Sequence, residues 1–438
     1  MPPSSSDSTR VHDVAIVGAG PAGLSAAVTL AEHGRSVALV DAGARPGGQY
    51  WRHPPTGLTE LHHDGAHYRR LEHALDAHLT GGRITYLSRT SVWTVSRRSV
   101  FVLHLHGSDR PRLLARRLVL ATGAFDRQVP FPGWDLPGVY TAGAALALLE
   151  EHAVLVGDRV AVGGTGPFLL PVATGLVSRG ARVVGVYEAN TGGGWLGHRA
   201  IRSVAGVPTK LGEGLGYAAT LVRARVPVRP RTAVVEAHGT THVTSITTAR
   251  LDARGDAIPG TERRTEVDAV AVGWGFTPSL DLPLQLGCRT VPDADGSPVV
   301  WVDARQQSSV PGAFAAGETT GVGGAQLAIC EGELAASAIC GVTPPTRLLR
   351  RRRTLRAFAA AMHRAHPVPP GWVDRIRDDT LVCRCEEVDA AALRRAVQLG
   401  ADNARTAKLL ARPGMGWCQG RMCGTAVAGL VAAWSDEG

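Results

Sequence analysis

Long apolar runs are missing from this sequence. No stretch of about 18 uninterrupted apolar residues occurs, so a membrane-spanning helix is not expected. Aromatic residues are scarce, at 5%. None is interleaved with the densest basic run, Arg347, Arg350, Arg351, Arg352 and Arg353, which removes the stacking platform that single-stranded nucleic acid needs. That run follows Pro344 and Pro345 and precedes Leu355 and Phe358, and it reads as a solvated helix start, with docking of an acidic partner as the rival reading. The net charge of +9 is carried mostly by arginine and is read as spread over surface helices rather than gathered for nucleic acid. The polar N-terminus runs straight into a strand without the apolar core of a secretory signal. A cytoplasmic protein is expected, peripheral contact with the inner face of a membrane being left open.

What is abundant is glycine: 53 of 438 residues, about 12% against a usual roughly 7%, with no collagen-like period. Tight turns and close backbone approaches are the expected use. The length exceeds one compact core and calls for two or three domains.

Val11 to Val17 reads as a strand, Leu24 to His33 as a helix and Ser36 to Val40 as a second strand, the opening of a doubly wound sheet. Between the first two lie Gly18-Ala19-Gly20-Pro21-Ala22-Gly23. Gly18 permits the tight turn, Gly20 clears the approach of a pyrophosphate, and Gly23 lets helix and strand pack closely. The helix N-terminus offers free N–H groups and partial positive charge to the phosphates. Asp41 ends the second strand, about 20 residues on, where a carboxylate accepts ribose hydroxyls. Leu113 to Ala121 is a further strand, ending in Ala121-Thr122-Gly123. Near residue 313 a short strand runs into Gly317-Glu318, then a Gly-rich turn and an apolar helix from Ala325. An acid there suits a ribityl and phosphate region, which favours FAD over NAD.

A second unit of the same kind begins at Arg159, with Gly164-Thr165-Gly166-Pro167-Phe168-Leu169 at its turn and Glu188 closing its second strand. Leu169 stands where the third glycine belongs and is expected to push helix and strand apart, while Pro167 and Phe168 fill space near the pyrophosphate. A closed, altered or differently occupied site is therefore expected ahead of NAD binding at Gly164, Gly166 and Glu188. No basic residue directly follows Glu188, which disfavours NADP.

The last feature is Cys383-Arg384-Cys385, then 32 residues, Cys418, four more, and Cys423. Helical segments, Ala390 to Leu399 and Asn403 to Leu410, fill the gap. Zinc ribbons space their pairs two to four residues apart. The tighter Cys-x-Cys pair suits an iron–sulfur cluster, and four thiolates satisfy a [2Fe–2S] centre, with zinc as the alternative. Gly414, Gly416 and Gly420 leave backbone N–H groups for the sulfurs, and Arg384 and Arg421 offset negative charge. Cys288, Cys330 and Cys340 are isolated and read as buried small apolar residues; no Cys-x-x-Cys pair equips the flavin fold for disulfide exchange.

With Gly47-Gly48-Gln49, Ala121-Thr122-Gly123 and Gly273-Trp274-Gly275-Phe276-Thr277-Pro278, residues 11–340 resemble the two-dinucleotide-binding-domain flavoproteins. The resemblance implies FAD contacts at Gly18, Gly20, Pro21, Ala22, Gly23, Asp41, Ala42, Gly48, Gln49, Ala121, Thr122, Gly123, Gly317, Glu318, Ala325 and Gln326. Glu318 departs from the aspartate usual in that family. Leu381 to Ala426 resembles the bacterioferritin-associated-ferredoxin-like (BFD-like) [2Fe–2S] domain, which implies Cys383, Cys385, Cys418 and Cys423 as metal ligands. The expected architecture is α/β: two Rossmann-like domains, the second inserted in the first, and a small helical cluster domain. The expected boundaries are 1–145 with 276–345, 146–275, a Pro/Arg-rich linker at 346–378, and 379–438.

The whole order, with Gly47-Gly48-Gln49-Tyr50-Trp51-Arg52 and Trp417-Cys418-Gln419-Gly420-Arg421, resembles the opine oxidase A subunits, the large flavoprotein subunit of hydrogen cyanide synthase and hydroxyproline dehydrogenase α subunits. That resemblance implies an electron-transfer subunit of a heteromeric amino-acid dehydrogenase. It implies a glycine-oxidase-like flavoprotein partner, a further small ferredoxin-like subunit in some complexes, and a downstream electron acceptor. The alternatives are a self-contained NAD(P)H oxidoreductase and a non-enzymatic scaffold or redox sensor. No catalytic base is assigned: His53, His62, His63 and His67 read as a solvated surface run.

Overall fold

The computed structural model describes residues 10–57, 64–191 and 206–435. The chain divides into two compact units. One takes in Met1–Ala124, Arg202–Val207 and Thr277–His363; the other takes in Phe125–Ile201, Pro208–Phe276 and Arg364–Gly438.

In the first unit the strands Ile84–Leu87, Val37–Val40, Val11–Val17 and Arg112–Leu120 lie side by side in that order and parallel. Arg112–Leu120 is long enough to serve two neighbours on its far edge. Its first half pairs antiparallel with Phe101–His106, and its last three residues pair parallel with Ala313–Ala315. Val14, Ile16, Val37, Leu39 and Val119 are fully buried, as strands covered on both faces must be. The helices Pro21–Glu32 and Ala325–Cys340 pack against each other through small residues. A Cβ on Gly332 would fall 2.2 Å from the Ala22 carbonyl oxygen, and the Ser25 hydroxyl donates to the Ile329 carbonyl at 3.2 Å.

The larger part of the second unit lies in sequence between Ala124 and Thr277, and Arg364–Gly438 completes it. Its five-stranded parallel sheet runs Val228–Pro230, Arg182–Glu188, Arg159–Gly164, Ala269–Gly273, Val139–Thr141. A three-stranded antiparallel sheet, Thr232–Gly239, Val243–Arg250 and Arg263–Glu266, accompanies it.

The Cys-bearing segment shares a core with this unit. Val129, Ala189, Ala233, Leu251 and Trp274 pack in one cluster with Trp372, Val382, Cys383, Leu393, Cys423, Leu430 and Trp434. The segment itself is a short hairpin, Leu381–Cys383 with Val388–Asp389, and three helices, Ala390–Gln398, Ala404–Ala411 and Gly424–Ser435. Asp389 caps the first helix by accepting the Ala392 N–H at 2.7 Å. Asn403 and Thr406 form a reciprocal capping box on the second. These caps fix where the helices begin, and so place the cysteines outside them.

The stretch read as a Pro/Arg-rich linker contains a helix, Thr346–Ala365, and a 3₁₀ turn, Pro370–Arg375. Its arginine run is not wholly solvated. Arg352 and Arg356 both reach Glu331, whose side chain is 0% exposed. Apolar spacing and the preceding prolines locate such a helix, but only the tertiary fold supplies the buried acid. No described helix is long and apolar enough to cross a membrane.

Candidate cofactor sites

The first glycine turn divides its labour. A Cβ on Gly18, at φ +102°, would lie 2.2 Å from the Ala121 carbonyl oxygen, and one on Gly23 would lie 1.8 Å from that of Gly18. Both glycines are demanded by the protein's own backbone. Gly20 is different. Its φ is −72°, and an added Cβ would meet nothing closer than the Gly48 Cα at 3.9 Å. The room kept there is therefore room for a ligand, which is the fit a dinucleotide pyrophosphate requires. Pro21 and Ala22 open the helix behind it.

Asp41 accepts the Ala19 N–H at 2.5 Å and the Gly43 N–H at 2.6 Å, tying the turn to the end of the second strand beside exposed Ala42. Gly47 donates to the Ala19 carbonyl at 2.8 Å, laying the Gly47–Gly48 loop on the turn. Gln49, exposed, accepts from Arg52 at 3.0 Å. From the other side, Thr122 donates to the Ser279 carbonyl at 2.8 Å, and Gly123, at φ +72°, accepts the Ser279 N–H at 2.9 Å.

Gly317 takes φ +78° and donates to Glu331 at 3.1 Å. Glu318 accepts the N–H groups of Gly323 and Gly324 at 3.1 and 2.9 Å. It braces the turn that leads into Ala325 and half-buried Gln326. Burial pushes its carboxyl up to about 7 against the pull of those N–H groups.

Two of the four histidines read as a solvated run, His53 and His67, are half-buried. His53 is half-buried, with Nε2 2.7 Å from the Pro46 carbonyl and 3.1 Å from the Tyr68 hydroxyl. His67 is half-buried and stacks on Trp51. The reason is local: Trp51 and Tyr68 are core residues and draw their neighbours inward. His62 and His63 lie outside the described residues.

The second glycine turn is built on the same plan and filled differently. A Cβ on Gly164 would fall 1.8 Å from the Gly273 carbonyl oxygen. Leu169 does not push helix and strand apart. It is buried at the helix start, with its Cδ2 3.5 Å from where a Gly273 Cβ would be, an ordinary contact distance. Phe168 packs edge-on against Phe276 at 4.9 Å between centroids.

Glu188 is committed to the protein. It accepts the Thr165 hydroxyl and the Gly166 N–H at 2.9 Å and the Asn190 N–H at 3.0 Å. His366 Nδ1 stands 3.6 Å away. The Asn190 amide donates to the Pro367 carbonyl at 2.8 Å, and the His366 Cβ lies 4.0 Å from where a Gly166 Cβ would be. Residues 366–367 thus lie on the acid end of this turn. Burial alone would raise the Glu188 carboxyl. The His366 contact and charge and the N–H groups of Asn190 and Gly166 outweigh it and hold the group below the usual carboxylate range. Nothing in the sequence spacing brings His366 to Glu188.

The four C-terminal cysteines lie around one glycine-rich loop. The Gly414 N–H is 3.4 Å from the Cys383 sulfur, the Cys423 sulfur is 3.7 Å from where a Gly414 Cβ would be, and Cys385 abuts Gly416, two residues before Cys418. Cys383 and Cys423 are each 1% exposed; Cys385 is exposed and Cys418 half-buried. Among the described residues no three His, Cys, Asp or Glu side chains gather around a single-ion position. Four thiolates carried on one small domain are the donor set of a [2Fe–2S] centre.

The glycines between the pairs are sterically required. A Cβ on Gly416 would fall 2.3 Å from the Cys385 Cβ, and Gly414 donates its N–H toward the Cys383 sulfur at 3.4 Å. Arg384 stacks 4.0 Å over Trp134, with buried Nε and Nη2 atoms that no protein group satisfies. An anionic cluster would satisfy them. Trp134 itself is fixed by its indole N–H, which donates to the Leu381 carbonyl at 2.5 Å. Burial and the neighbouring Cys383 push the Cys423 thiol up to about 12, so metal binding there must displace a proton.

Residues 12–332 match the pyridine nucleotide-disulphide oxidoreductase family. The chain belongs to that family. Residues 381–433 of this oxidoreductase match the BFD-like [2Fe-2S] binding domain. Hydrogen cyanide synthase subunit HcnB of Pseudomonas aeruginosa is 33% identical over 427 residues, covering 93% of this chain and 90% of that protein. The opine oxidase A subunit of Rhizobium meliloti strain 1021 is 32% identical, covering 97% and 93%. The crystal structure of L-proline dehydrogenase from P. horikoshii shares the fold at a TM-score of 0.66 and 21% identity, covering 97% of this chain and 74% of that one. The oxidoreductase is therefore FAD-dependent and carries a [2Fe–2S] domain.

Its free cysteines Cys288 and Cys330 are buried, and Cys340 is half-buried. Two features escaped sequence reasoning. Glu331 is one of two acids in an otherwise apolar helix, a signal that does not tell which of the two is buried. The stacking of Arg384 on Trp134 carried no sequence signal.

Proposed function

We propose that this oxidoreductase is the electron-transfer subunit of a heteromeric dehydrogenase acting on an amino acid or opine-type amine. In this reading a glycine-oxidase-like flavoprotein partner oxidises the substrate, and this chain relays the electrons onward to a carrier. One observation carries the reading: one polypeptide has a cradle with ligand room at Gly20 and a four-cysteine site with an unsatisfied cation beside it. FAD exchanges electrons in pairs and a [2Fe–2S] centre singly, so together they convert one mode into the other.

The residues assigned to FAD are the turn Gly18–Gly23 with Asp41, Ala42, Gly48 and Gln49, the Ala121–Gly123 edge, and Gly317, Glu318, Ala325 and Gln326. Cys383, Cys385, Cys418 and Cys423 are assigned to iron, and Arg384 offsets cluster charge from its perch on Trp134. The heteromeric assembly is supported by the relatives, which are named as subunits of hydrogen cyanide synthase and of opine oxidase. The approach of His366 and Pro367 to the Glu188 end of the second turn speaks against the self-contained NAD(P)H alternative.

The test is anaerobic co-purification of the full chain with its co-expressed partner flavoprotein, followed by dye-linked amine oxidation. The expected result is turnover by the pair and little by this chain alone. Turnover by this chain alone with NADH would sink the proposal.

A further inference from the structure

One face of the helix Thr346–Ala365 lies along the turn that joins Gly317 to Ala325. Arg352, Arg356, Ala359 and His363 recur along it at the spacing of a single helical face. Arg352 and Arg356 reach Glu331, which accepts the Gly317 N–H and the Thr320 hydroxyl at 3.1 and 2.7 Å. Arg356 also donates to the Thr320 hydroxyl at 2.9 Å and to the Gly321 carbonyl at 3.2 Å. The Ala359 Cβ lies 3.3 Å from where a Gly323 Cβ would be. His363 donates from Nε2 to the Val322 carbonyl at 2.8 Å. All of these residues belong to the first unit.

A peptide held at its carbonyl is also held at its N–H, because the group is planar and trans. His363 holds the Val322 carbonyl, and the N–H of that same peptide, on Gly323, donates to Glu318 at 3.1 Å. Arg356 holds the preceding peptide through the Gly321 carbonyl. Gly321, at φ +125°, has no room for a side chain: a Cβ there would fall 2.5 Å from Arg356 Nη1 and 2.6 Å from Asp293 Oδ2. The helix thus fixes the direction of the N–H that orients Glu318 and the point from which the helix Ala325–Cys340 departs.

We propose that the helix Thr346–Ala365 is part of the flavin site, with Arg356 and His363 as positioning residues that act through the turn. This rests on the assignment of Gly317, Glu318, Ala325 and Gln326 to FAD. A turn ordered before the coenzyme arrives binds it more tightly than one ordered on binding. A displaced Glu318 or helix N-terminus changes the local field and so shifts the flavin's midpoint potential.

The test uses the full-length holoprotein, with flavin, iron and acid-labile sulfide measured first. His363→Ala removes the donor to Val322, and His363→Gln supplies an amide N–H in its place. Arg356→Lys keeps a charge beside Glu331 and loses the fork that spans Thr320 and Gly321. Arg353→Ala, at an exposed position of the same helix, is the control. FAD affinity is read by titrating apoprotein with FAD, and the midpoint potential by spectroelectrochemistry of the bound flavin. His363→Ala and Arg356→Lys are expected to raise the Kd for FAD about tenfold and to shift the potential. His363→Gln is expected to recover toward the parent values and Arg353→Ala to match them, with iron and sulfide at parent levels throughout. Parent-like affinity and potential in both His363→Ala and Arg356→Lys overturns the inference, even where the melting transition falls. An equal loss in Arg353→Ala overturns it as well. Parent protein without flavin sinks the coenzyme assignment and this inference with it. The expected shifts in a chain that supports no amine oxidation with its partner uphold the inference and count against the proposed function alone.

Discussion

At the residue scale, one added carbon separates the glycines that serve the backbone from the one that serves the ligand. A methyl group on Gly23 would enter the Gly18 carbonyl oxygen at 1.8 Å, and neither partner is a flexible side chain. Gly23→Ala is therefore expected to cost the first unit about 1–3 kcal/mol or more of overpacking strain and to lower bound flavin, seen as a reduced absorbance ratio at about equal expression. Gly20→Ala meets no such obstacle in the protein. Its effect is expected on flavin content with little change in the apoprotein's melting temperature, which separates a ligand-facing glycine from a backbone-facing one.

Glu188 gives a prediction in pH. Its folded carboxyl is held below the usual carboxylate range, so the unfolded chain binds the proton more readily. The stabilisation is fully present above that range and is lost as pH falls through the lowered folded value. Glu188→Gln should flatten the acid limb of the pH–stability curve and leave its neutral side nearly level with respect to pH. An unchanged acid limb in urea titrations would count against the assignment.

Elements are tied together by side chains that their own sequence patterns do not reveal. The helix Thr346–Ala365 looks like an exposed basic helix, yet Arg352 and Arg356 anchor it to Glu331 on Ala325–Cys340. The same carboxylate holds the Gly317 N–H and the Thr320 hydroxyl. Removing it strands two partly buried guanidinium groups, so Glu331→Ala is expected to cost about 3–5 kcal/mol and to loosen the turn that carries Glu318, read as a lower first thermal transition.

In the second unit Leu169, at the start of the helix Leu169–Ser178, is buried. Leu169→Ala leaves a cavity and is expected to cost about 2–5 kcal/mol, measured as an earlier melting transition. It is not expected to create an NADH site, since Glu188 and residues 366–367 are untouched.

For the molecule as a whole, the two dinucleotide folds differ in what lies beside their acids: His366 stands 3.6 Å from Glu188 and Pro367 accepts the Asn190 amide at the second turn. Anaerobic addition of NADH is therefore expected to leave the flavin oxidised over seconds to minutes in stopped-flow absorbance. Rapid bleaching would show the second cradle in service. The segment after residue 364 shares its core with the inserted domain. Mutations in that shared core, such as Trp372→Ala, are accordingly expected to disturb cluster content and second-unit stability together, measured by iron analysis and calorimetry on the same preparations.

The sequence by itself determined the local grammar of this protein. Strand, glycine turn, helix and acid recur in order because backbone sterics dictate which residues can stand at each position. Cys-x-Cys with its two capped helices announced a cluster domain for the same reason. The tertiary structure alone decided which of these parts are free to act. Whether Leu169 is buried depends on neighbours such as Gly273, more than a hundred positions later. Whether Glu188 is available depends on Asn190 and on residues 366–367, and which thiols are buried depends on how the fold covers Cys383 and Cys423. Burial and pairing are properties of neighbours in space, and a linear pattern specifies those only through the whole fold.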